Sequence, residues 1–274
     1  MKKLLLLVVL SGFFACQNEP TIPMCHDPNA EFAVFAQDRN FRDAHPAPLP
    51  VALKHGGQMV EFPVAGGPNG RAFLIKPHSP TNKYLLLIHE WWGLNNYVMN
   101  EATRWSHDLN INVLAVDLYD GKVATTAEDA GKYMQACDPA RANAIIEGAA
   151  KYAGENADFR TMGWCFGGGW SLQTALLLKD KVKACVMYYG MPEKDVEKLK
   201  TLNTDVLMIH AQKDQWINGE VVAGFKKNME AADKKLTVLE YDADHAFANP
   251  SSPKYNEAAA QQARTAVKAY LVGK

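Results

Sequence analysis

The stretch that decides the fold is ADFRTMGWCFGGG, which occupies residues 157–169. Its first half is typical of a buried strand, and its second half turns through Gly-Trp-Cys-Phe-Gly into a helical pattern. Gly163 and Gly167 flank Cys165 at the spacing of a sharp strand-to-helix turn, in which a Cβ at either glycine would collide with neighbouring backbone. Such a turn holds its central residue in a strained conformation. The motif therefore predicts a nucleophilic thiol at Cys165, provided that catalytic partners follow.

Two such partners follow later in the chain, each just after a predicted strand. The apolar run 205–210 ends before Asp214, and the run 236–241 leads into a loop that contains His245. Nucleophile, acid and histidine, in this order, are the sequence order of the α/β-hydrolase fold. His245 would accept the thiol proton or pair with the thiolate, and Asp214 would fix the imidazole tautomer. The pattern favours a Cys-His-Asp triad over three unrelated loop, surface and core residues.

A third indication lies upstream, where residues 84–88 form a continuous apolar run that ends in HEWWGLN. Such a run is typical of a strand covered on both faces. In this fold, the loop after that strand and the residue after the nucleophile donate backbone N–H groups to an oxyanion hole. Here the donors would be Trp91 and Phe166. Glu90 directly precedes Trp91, and a carboxylate there would oppose an oxyanion, so we expect that it points away or has a role of its own.

The rest of the domain alternates predicted strands and helices. Strand-like segments fall near residues 58–64, 70–76, 84–89, 112–117, 158–163, 182–189, 205–210 and 236–241. Helical patterns fall near residues 97–109, 126–153, 167–179, 218–231 and 255–271. Pro139 divides the second helical pattern into two helices. This order predicts an α/β fold with a mostly parallel central sheet of about eight strands and helices on both faces.

Together these motifs resemble the dienelactone hydrolase family of α/β-hydrolases over roughly residues 58–272. The further matching segments are DLY at 117–119, AQKD at 211–214 and DHAF at 244–247. The resemblance implies a cysteine hydrolase that opens small ester or lactone bonds through a thioester, with Cys165, Asp214 and His245 as its triad. It also implies that Glu90 hydrogen-bonds the thiol in the resting enzyme and activates it when substrate binds.

The chain departs from the family's pattern where substrate is bound. The archetypal enzyme carries an arginine a few residues after the catalytic histidine, where this chain has Asn249, and the segment after residues 117–119 offers Lys122 instead of a second arginine. Because a buried carboxylate without a partner is costly, we expect neutral or weakly charged acyl groups. Trp92 and Trp164 are further candidates for the lining of the substrate pocket.

Other functions remain open on the same residues. The triad would also serve an acyltransferase, or a hydrolase of a different acyl bond. A non-catalytic binding module that has kept the cleft is a further alternative, which stoichiometric trapping of an activated ester without turnover would favour. A thiol redox protein would need a resolving thiol, and the sequence contains no Cys-x-x-Cys. We expect a hydrolase because no triad position is missing.

Composition agrees with a single enzyme domain. The chain has 274 residues, of which 48% are hydrophobic, and a formal net charge of −1. It can bury a sizeable core and carries no strong field for nucleic acid. We expect a monomer whose partner is a small-molecule ester or lactone. We expect neither a cofactor nor a metal, since the sequence shows no metal-ligand spacing.

The N-terminal part divides into a leader and an arm. Residues 1–16 combine a basic start, an apolar stretch and a small residue before the break, which predicts an export signal to the bacterial cell envelope. The ending Ala15-Cys16 resembles a lipoprotein box that would be lipidated at Cys16, and plain secretion with cleavage nearby is the alternative. Residues 17–57 predict a tether or a surface-hugging arm on which catalysis should not depend. The hydrolase domain is predicted over residues 58–274.

Export leaves the pairing of the cysteines open. Because Cys165 must stay reduced to act, any disulfide would come from Cys25, Cys137 and Cys185. Cys185 lies in an apolar strand pattern, which favours a buried core position for it.

Overall fold

The computed structural model describes residues 28–54 and 56–274. The predicted signal peptide, with Cys16, and also Cys25 lie outside these residues. The strands are β1 (Gln58–Phe62), β2 (Gly70–Ile75), β3 (Lys83–Ile88), β4 (Asn112–Asp117), β5 (Asp158–Trp164), β6 (Val182–Tyr188), β7 (Val206–Ala211) and β8 (Leu236–Tyr241). The helices are α1 (Pro28–Phe35), α2 (Arg39–Ala44), α3 (Asn96–Leu109), α4 (Ala127–Gln135), α5 (Pro139–Ala153), α6 (Phe166–Leu178), α7 (Val196–Lys200), α8 (Gly219–Ala231) and α9 (Glu257–Val272).

The strands form one sheet in the order β1-β2-β4-β3-β5-β6-β7-β8. β2 pairs antiparallel with both β1 and β4, and the pairs from β4 through β8 are parallel. Because β3 lies between β4 and β5, the chain leaves β3 toward one side of the sheet and later returns on the other. Ligands of open parallel sheets bind at the carboxyl ends of the strands where this reversal occurs. The loops after β3 and β5 are therefore placed next to each other.

Burial of the central strands follows from their continuous apolar runs. All six residues of β4 are buried, as are the last four of β3. Helices α3 and α5 both pack against β4, which suits the apolar residues 113–116 between its polar ends. The eight-stranded, mostly parallel sheet with its helices confirms the predicted α/β-hydrolase fold.

Local caps set the ends of several helices. The Asp138 carboxylate accepts hydrogen bonds from the backbone N–H groups of Ala140 and Arg141, and Pro139 occupies the first turn of α5. The N-cap at Asp138 divides residues 126–153 into α4 and α5 as predicted. The five-residue helix α7 has too little periodicity to be read from the sequence.

Residues 28–54, in the part of the chain predicted as an arm, pack against the domain. Helices α1 and α2 contact α4, and α1 also contacts α6. The extended stretch that follows is held by hydrogen bonds: Leu49 N donates to Ser251 O at 2.8 Å, and the Asn96 and Asn100 amides donate to the carbonyls of residues 51 and 52 at 3.0 and 2.9 Å. We call residues 28–45, which include both helices, the cap.

Two further features bear on the sequence analysis. None of the helices in the described ranges is long and apolar enough to cross a membrane. Cys185 is fully buried, and its Sγ lies 3.6 Å from Ser171 Oγ. Its position in the core agrees with the apolar strand pattern around it.

Candidate active site

Cys165 occupies a strained turn between β5 and α6. Its backbone has φ of 57° and ψ of −121°, a conformation that L-residues with a Cβ rarely adopt. A Cβ at Gly163 would meet Gly167 O at 2.2 Å, and a Cβ at Gly167 would meet Ile88 O at 2.3 Å. Glycine is therefore required at both positions. The same contacts press the turn against the carboxyl end of β3.

His245 and Asp214 form a buried pair beyond the ends of β8 and β7. Nδ1 of His245 donates to Oδ2 of Asp214 at 2.5 Å. The other oxygen of Asp214 accepts hydrogen bonds from the backbone N–H groups of Trp216 and Ile217, both at 3.0 Å. With Oδ1 and Oδ2 both engaged, the carboxylate fixes the orientation and tautomer of the imidazole.

The charges of this pair reinforce each other. Burial by itself lowers the pKa of His245, but the Asp214 carboxylate and the Cys165 thiol outweigh burial and raise that pKa to about 10. Burial by itself raises the pKa of Asp214, but His245 and the two backbone N–H groups hold it below its usual value. Both groups are therefore ionised at neutral pH. Since Nδ1 is engaged by Asp214, the thiol acts on the Nε2 side of the ring.

Glu90 is buried in the loop after β3 and is held by Asn249. Nδ2 of Asn249 donates to Oε2 of Glu90 at 2.6 Å, and Oδ1 of Asn249 accepts hydrogen bonds from N and Oγ of Ser251 at 2.8 and 2.6 Å. Burial raises the pKa of Glu90 to about 7, against the opposing effects of Asn249 and His245. Glu90 therefore changes protonation near neutral pH. The side-chain amide of Asn249, a predicted substrate contact, is hydrogen-bonded to Glu90 and Ser251.

The two predicted oxyanion donors lie on either side of the strained turn. Phe166 is the first residue of α6, so its N–H has no acceptor within the helix and lies at the positive end of the helix dipole. Trp91 lies in the loop after β3, whose start is brought to the turn by the close approach of Gly167 to His89 O. An arrangement of this kind suits an oxyanion between the two N–H groups.

The structure separates the two tryptophans that the sequence proposed for substrate binding. Trp92 is buried beside Trp91, with ring centroids 4.9 Å apart, in the same loop as Glu90. Trp164 lies between Tyr97 and Tyr188, with ring centroids at 6.1 and 5.7 Å. The side chain of Trp164 therefore packs within the aromatic core.

Lys122 lies near the loop after β3 through its backbone. A Cβ at Gly93 would meet Lys122 O at 2.4 Å. Its side chain is exposed, with Nζ 5.7 Å from the ring centroid of Tyr133. The ammonium group therefore has a cation–π contact at the surface.

Sequence reasoning missed the contribution of the cap to this site. The ring of Phe41 lies 5.2 Å from that of Trp91 and 5.0 Å from that of Trp216, both edge to face. The ring of Phe32 lies 6.4 Å from that of His245. As a result, the catalytic imidazole is only 1% exposed. The aromatic residues of the cap gave no signal, because their partners lie far away in the sequence.

His45, at the end of the cap, lies beside His245 and gave no signal in the sequence. Its ring centroid lies 4.8 Å from that of His245, and its Nδ1 lies 2.6 Å from Phe41 O. In the sequence it is a lone histidine in a proline-rich stretch, with no strand end or ligand spacing to mark it.

These residues together suit nucleophilic acyl substitution. A thiol beside a charged imidazole–carboxylate pair is an activated nucleophile, and two backbone N–H groups and a helix N-terminus are placed for the charge that develops. In the described ranges, no group of three His, Cys, Asp or Glu side chains is arranged to hold a metal ion. The fold and the order of these groups along it define the chain as an α/β-hydrolase.

Comparison with known proteins narrows this class to one family. The family model of the dienelactone hydrolase family matches residues 71–272, and the chain belongs to this family. Protein usf of Aquifex pyrophilus is 29% identical over 206 residues, which are 70% of this chain and 87% of that protein. Carboxymethylenebutenolidase 1 of Cupriavidus pinatubonensis is 22% identical over 214 residues, which are 73% of this chain and 90% of that protein.

A solved structure shows the same fold. A dienelactone hydrolase-like promiscuous phosphotriesterase from metagenomic libraries is similar with a TM-score of 0.68 and 19% identity, over 79% of this chain and 98% of that chain. Its likeness supports the fold alone. Membership of the dienelactone hydrolase family makes this protein a carboxylic ester hydrolase that acts on ester or lactone bonds.

Proposed function

We propose that Cys165, His245 and Asp214 form a catalytic triad that opens small ester or lactone bonds through a thioester acyl-enzyme. The observation that carries the proposal is the arrangement around His245, whose Nδ1 is held by Asp214 at 2.5 Å while the thiol raises its pKa from the other side. The strained turn and the required glycines beside Cys165 support the same assignment, because a turn of this kind is typical of the nucleophile in this fold.

The reaction then has two halves. The Cys165 thiolate attacks the carbonyl carbon, and the N–H groups of Trp91 and Phe166 stabilise the oxyanion. The C–O bond breaks as His245 gives its proton to the leaving oxygen, which leaves a thioester on sulfur. Water then attacks the thioester and passes a proton to His245, and the acid leaves as the thiolate is restored.

The surroundings of His245 favour neutral acyl groups. The rings of Phe32, His45 and Tyr189 lie within 6.4 Å of its own, measured between centroids, and Asn249 is occupied by Glu90. An anionic substrate group would lose its hydration among these rings, and the charge of His245 is already paired with Asp214. We therefore expect neutral esters and lactones to be turned over faster than dianionic ones of equal size.

Turnover of p-nitrophenyl acetate by purified protein tests the triad. Cys165→Ala should abolish turnover, and Cys165→Ser should keep only a small part, since a hydroxyl needs stronger general-base help than a thiol. Cys185→Ala is the matched control, because it removes a buried thiol from the core and should leave kcat unchanged. Mass spectrometry of wild type should show acetylation at Cys165. Wild-type turnover by Cys165→Ala would refute the assignment.

We propose further that Glu90 controls the protonation of the Cys165 thiol. A carboxylate beside an oxyanion donor would oppose catalysis if it stayed charged, and its pKa of about 7 lets it exchange a proton with the resting thiol near neutral pH. The hydrogen bond from Asn249 holds the Glu90 carboxylate in one position. Breaking that bond would let the carboxylate move.

Alkylation of Cys165 by iodoacetamide tests this role. The pH profile of the alkylation rate should show an inflection near pH 7 in wild type, and Glu90→Gln should remove it and lower turnover. Glu240→Gln is the control, because Glu240 is partly exposed and lies outside the Asp214–His245 pair. If Glu90→Gln changes neither the profile nor the turnover, Glu90 is a structural residue of its loop.

We also propose that the protein is exported and anchored through lipidated Cys16. The support for this proposal is the leader sequence alone, which lies outside the described residues. Mass spectrometry of the mature N-terminus should find a diacylated cysteine. An unmodified N-terminus at another residue would favour plain secretion.

A further inference from the structure

A buried nitrogen atom beside His245 has no partner within the described residues. It is Nε2 of His45, whereas His245 is hydrogen-bonded by Asp214 and by Cys165. The two rings lie 4.8 Å apart between centroids, at an interplanar angle of 72°. His45 is 6% exposed and His245 is 1% exposed. A buried polar atom is costly when it is left unpaired, so the unpaired Nε2 of His45 suits a small polar ligand where the cap meets the ring of His245.

The tautomer of His45 follows from its other nitrogen. Nδ1 lies 2.6 Å from Phe41 O, and a carbonyl oxygen only accepts hydrogen bonds, so Nδ1 carries the hydrogen. Nε2 therefore presents a lone pair. Burial and the nearby charge of His245 lower the pKa of His45 to about 3. The ring consequently stays a neutral acceptor at working pH.

The ring of His45 is also fixed in direction. It stacks on Phe41 at 4.0 Å between centroids, and it lies 5.5 Å from Trp91 and 5.0 Å from Trp216. Packing on several sides keeps the acceptor lone pair in one direction. The side chain therefore loses no further conformational entropy when it binds a ligand in each turnover. A histidine that only filled space would not need its Nε2 lone pair held in one direction.

We propose that His45 is a further catalytic residue, which accepts a hydrogen bond from the hydrolytic water and holds that water beside His245 for attack on the thioester. The proposal rests on the thioester mechanism proposed above. It assigns to the cap a part in the second half-reaction, in addition to covering the site.

The step balances without any further reactant. The water oxygen forms a bond to the thioester carbonyl carbon, and one proton passes to Nε2 of His245, which became neutral when it protonated the leaving group. The other hydrogen stays on the oxygen, where His45 holds it, and leaves with the carboxylic acid. The C–S bond breaks, and its electron pair restores the Cys165 thiolate beside protonated His245. His45 neither gains nor loses a proton.

A residue that only covers the site would affect both half-reactions alike, because acylation and deacylation occur in the same place. A residue that holds the water acts on deacylation alone. Stopped-flow measurement with p-nitrophenyl acetate separates the two steps, since the burst of p-nitrophenol reports acylation and the steady rate reports deacylation. The two roles therefore give different results in one experiment.

The test uses His45→Phe and His45→Gln in the full chain. Phenylalanine keeps an aromatic ring between Phe41 and Trp216 but has no acceptor, whereas glutamine keeps an acceptor oxygen on a flexible side chain. His45→Phe should show a burst of one equivalent at a rate within about twofold of wild type, and a steady rate lower by roughly 10- to 100-fold. The acetyl thioester on Cys165 should accumulate in its mass spectrum. His45→Gln should recover much of the deacylation rate.

Two results would overturn the proposal. One is a wild-type deacylation rate in His45→Phe, and the other is an equal loss of both rates in His45→Phe and His45→Gln, which would mark His45 as a packing residue of the cap. Protection of residues 28–45 from trypsin shows whether the cap is still docked in each variant. Failure of the thioester mechanism itself is recognised separately, because wild type would then form no acyl adduct at Cys165.

Discussion

The catalytic turn and the cap meet at the same site, but they are held there by different forces. The turn at Cys165 is fixed by backbone contacts, since Gly163 and Gly167 leave no room for a Cβ against neighbouring carbonyl oxygens. The cap is held by aromatic side chains and by an exposed ion pair between Lys194 and Glu31, and such pairs contribute little stability. We therefore expect the turn to be as stable as the sheet, and the cap to open locally while the sheet stays folded.

The largest expected effect concerns the Asp214–His245 pair, which belongs to the rigid part of the site at the ends of the strands. Asp214→Asn should lower kcat by about 10³- to 10⁴-fold, because the imidazole loses the carboxylate that fixes its tautomer and charge. The pKa of His245, measured by NMR titration, should fall from about 10 toward its usual value, since the Asp214 carboxylate is the main group that raises it. A variant with wild-type kcat would show that the pair is structural.

A methyl group at the turn tests how rigid it is. In Gly167→Ala the new Cβ would meet Ile88 O at 2.3 Å, so the backbone must shift, at a cost of about 1–3 kcal/mol in the free energy of unfolding. A displacement near 1 Å should also lower kcat by about 100-fold. The matched control is Gly224→Ala in α8, where the Cβ meets nothing within 4 Å. That variant should gain up to about 1 kcal/mol and keep its kcat. Equal changes in stability and kcat in Gly167→Ala and Gly224→Ala would show that the turn is no more rigid than the surface of α8.

Loss of a cap aromatic should act locally. Phe41 is fully buried against Trp91 and Trp216, and in a closed core its replacement by alanine costs about 3–5 kcal/mol. Because the cap can open, we expect Phe41→Ala to raise hydrogen exchange in residues 28–45 while the central strands keep their protection. Val34→Ala, at a position 59% exposed in the same segment, should change neither. Uniform loss of protection across the sheet would show that cap and sheet unfold as one unit.

The last expected effect is confined to the cap and is a pH dependence of its docking. His45 has a pKa of about 3 when the cap is docked and an ordinary value of 6.5 when it is released. Between these values the released state binds more protons, so docking should weaken as the pH falls from 6.5, by up to about 1.4 kcal/mol per pH unit. Above pH 6.5 this contribution is constant. Hydrogen exchange of the cap at pH 4 to 7 should show this slope in wild type and lose it in His45→Phe. Equal slopes would exclude His45 as its source.

The parts that the sequence predicted are those whose signals are local. The run at 84–88, the Gly-x-Cys-x-Gly turn and the residues beyond the last two strands each carry their meaning within a few positions. The order of Cys165, Asp214 and His245 then needed only the rule that parallel strands end at one edge of the sheet.

The parts that the sequence could not predict depend on partners far apart in the chain. Asn249 remains a predicted substrate contact, and its hydrogen bond to Glu90 joins residues 159 positions apart in the chain. The sequence predicts a tether or a surface-hugging arm over residues 17–57, and the buried aromatic face of the cap becomes visible only beside Trp91 and Trp216. No local pattern contains such pairings.

The cap joins opposite ends of the polypeptide. It lies in the first part of the chain to be synthesised, yet Phe32 and His45 pack against His245, in the loop that follows the last strand of the sheet. Contacts of such long sequence separation form late in folding, because the ends must first be brought together. During biosynthesis the ring of His245 is therefore covered by the cap only after the sheet has formed.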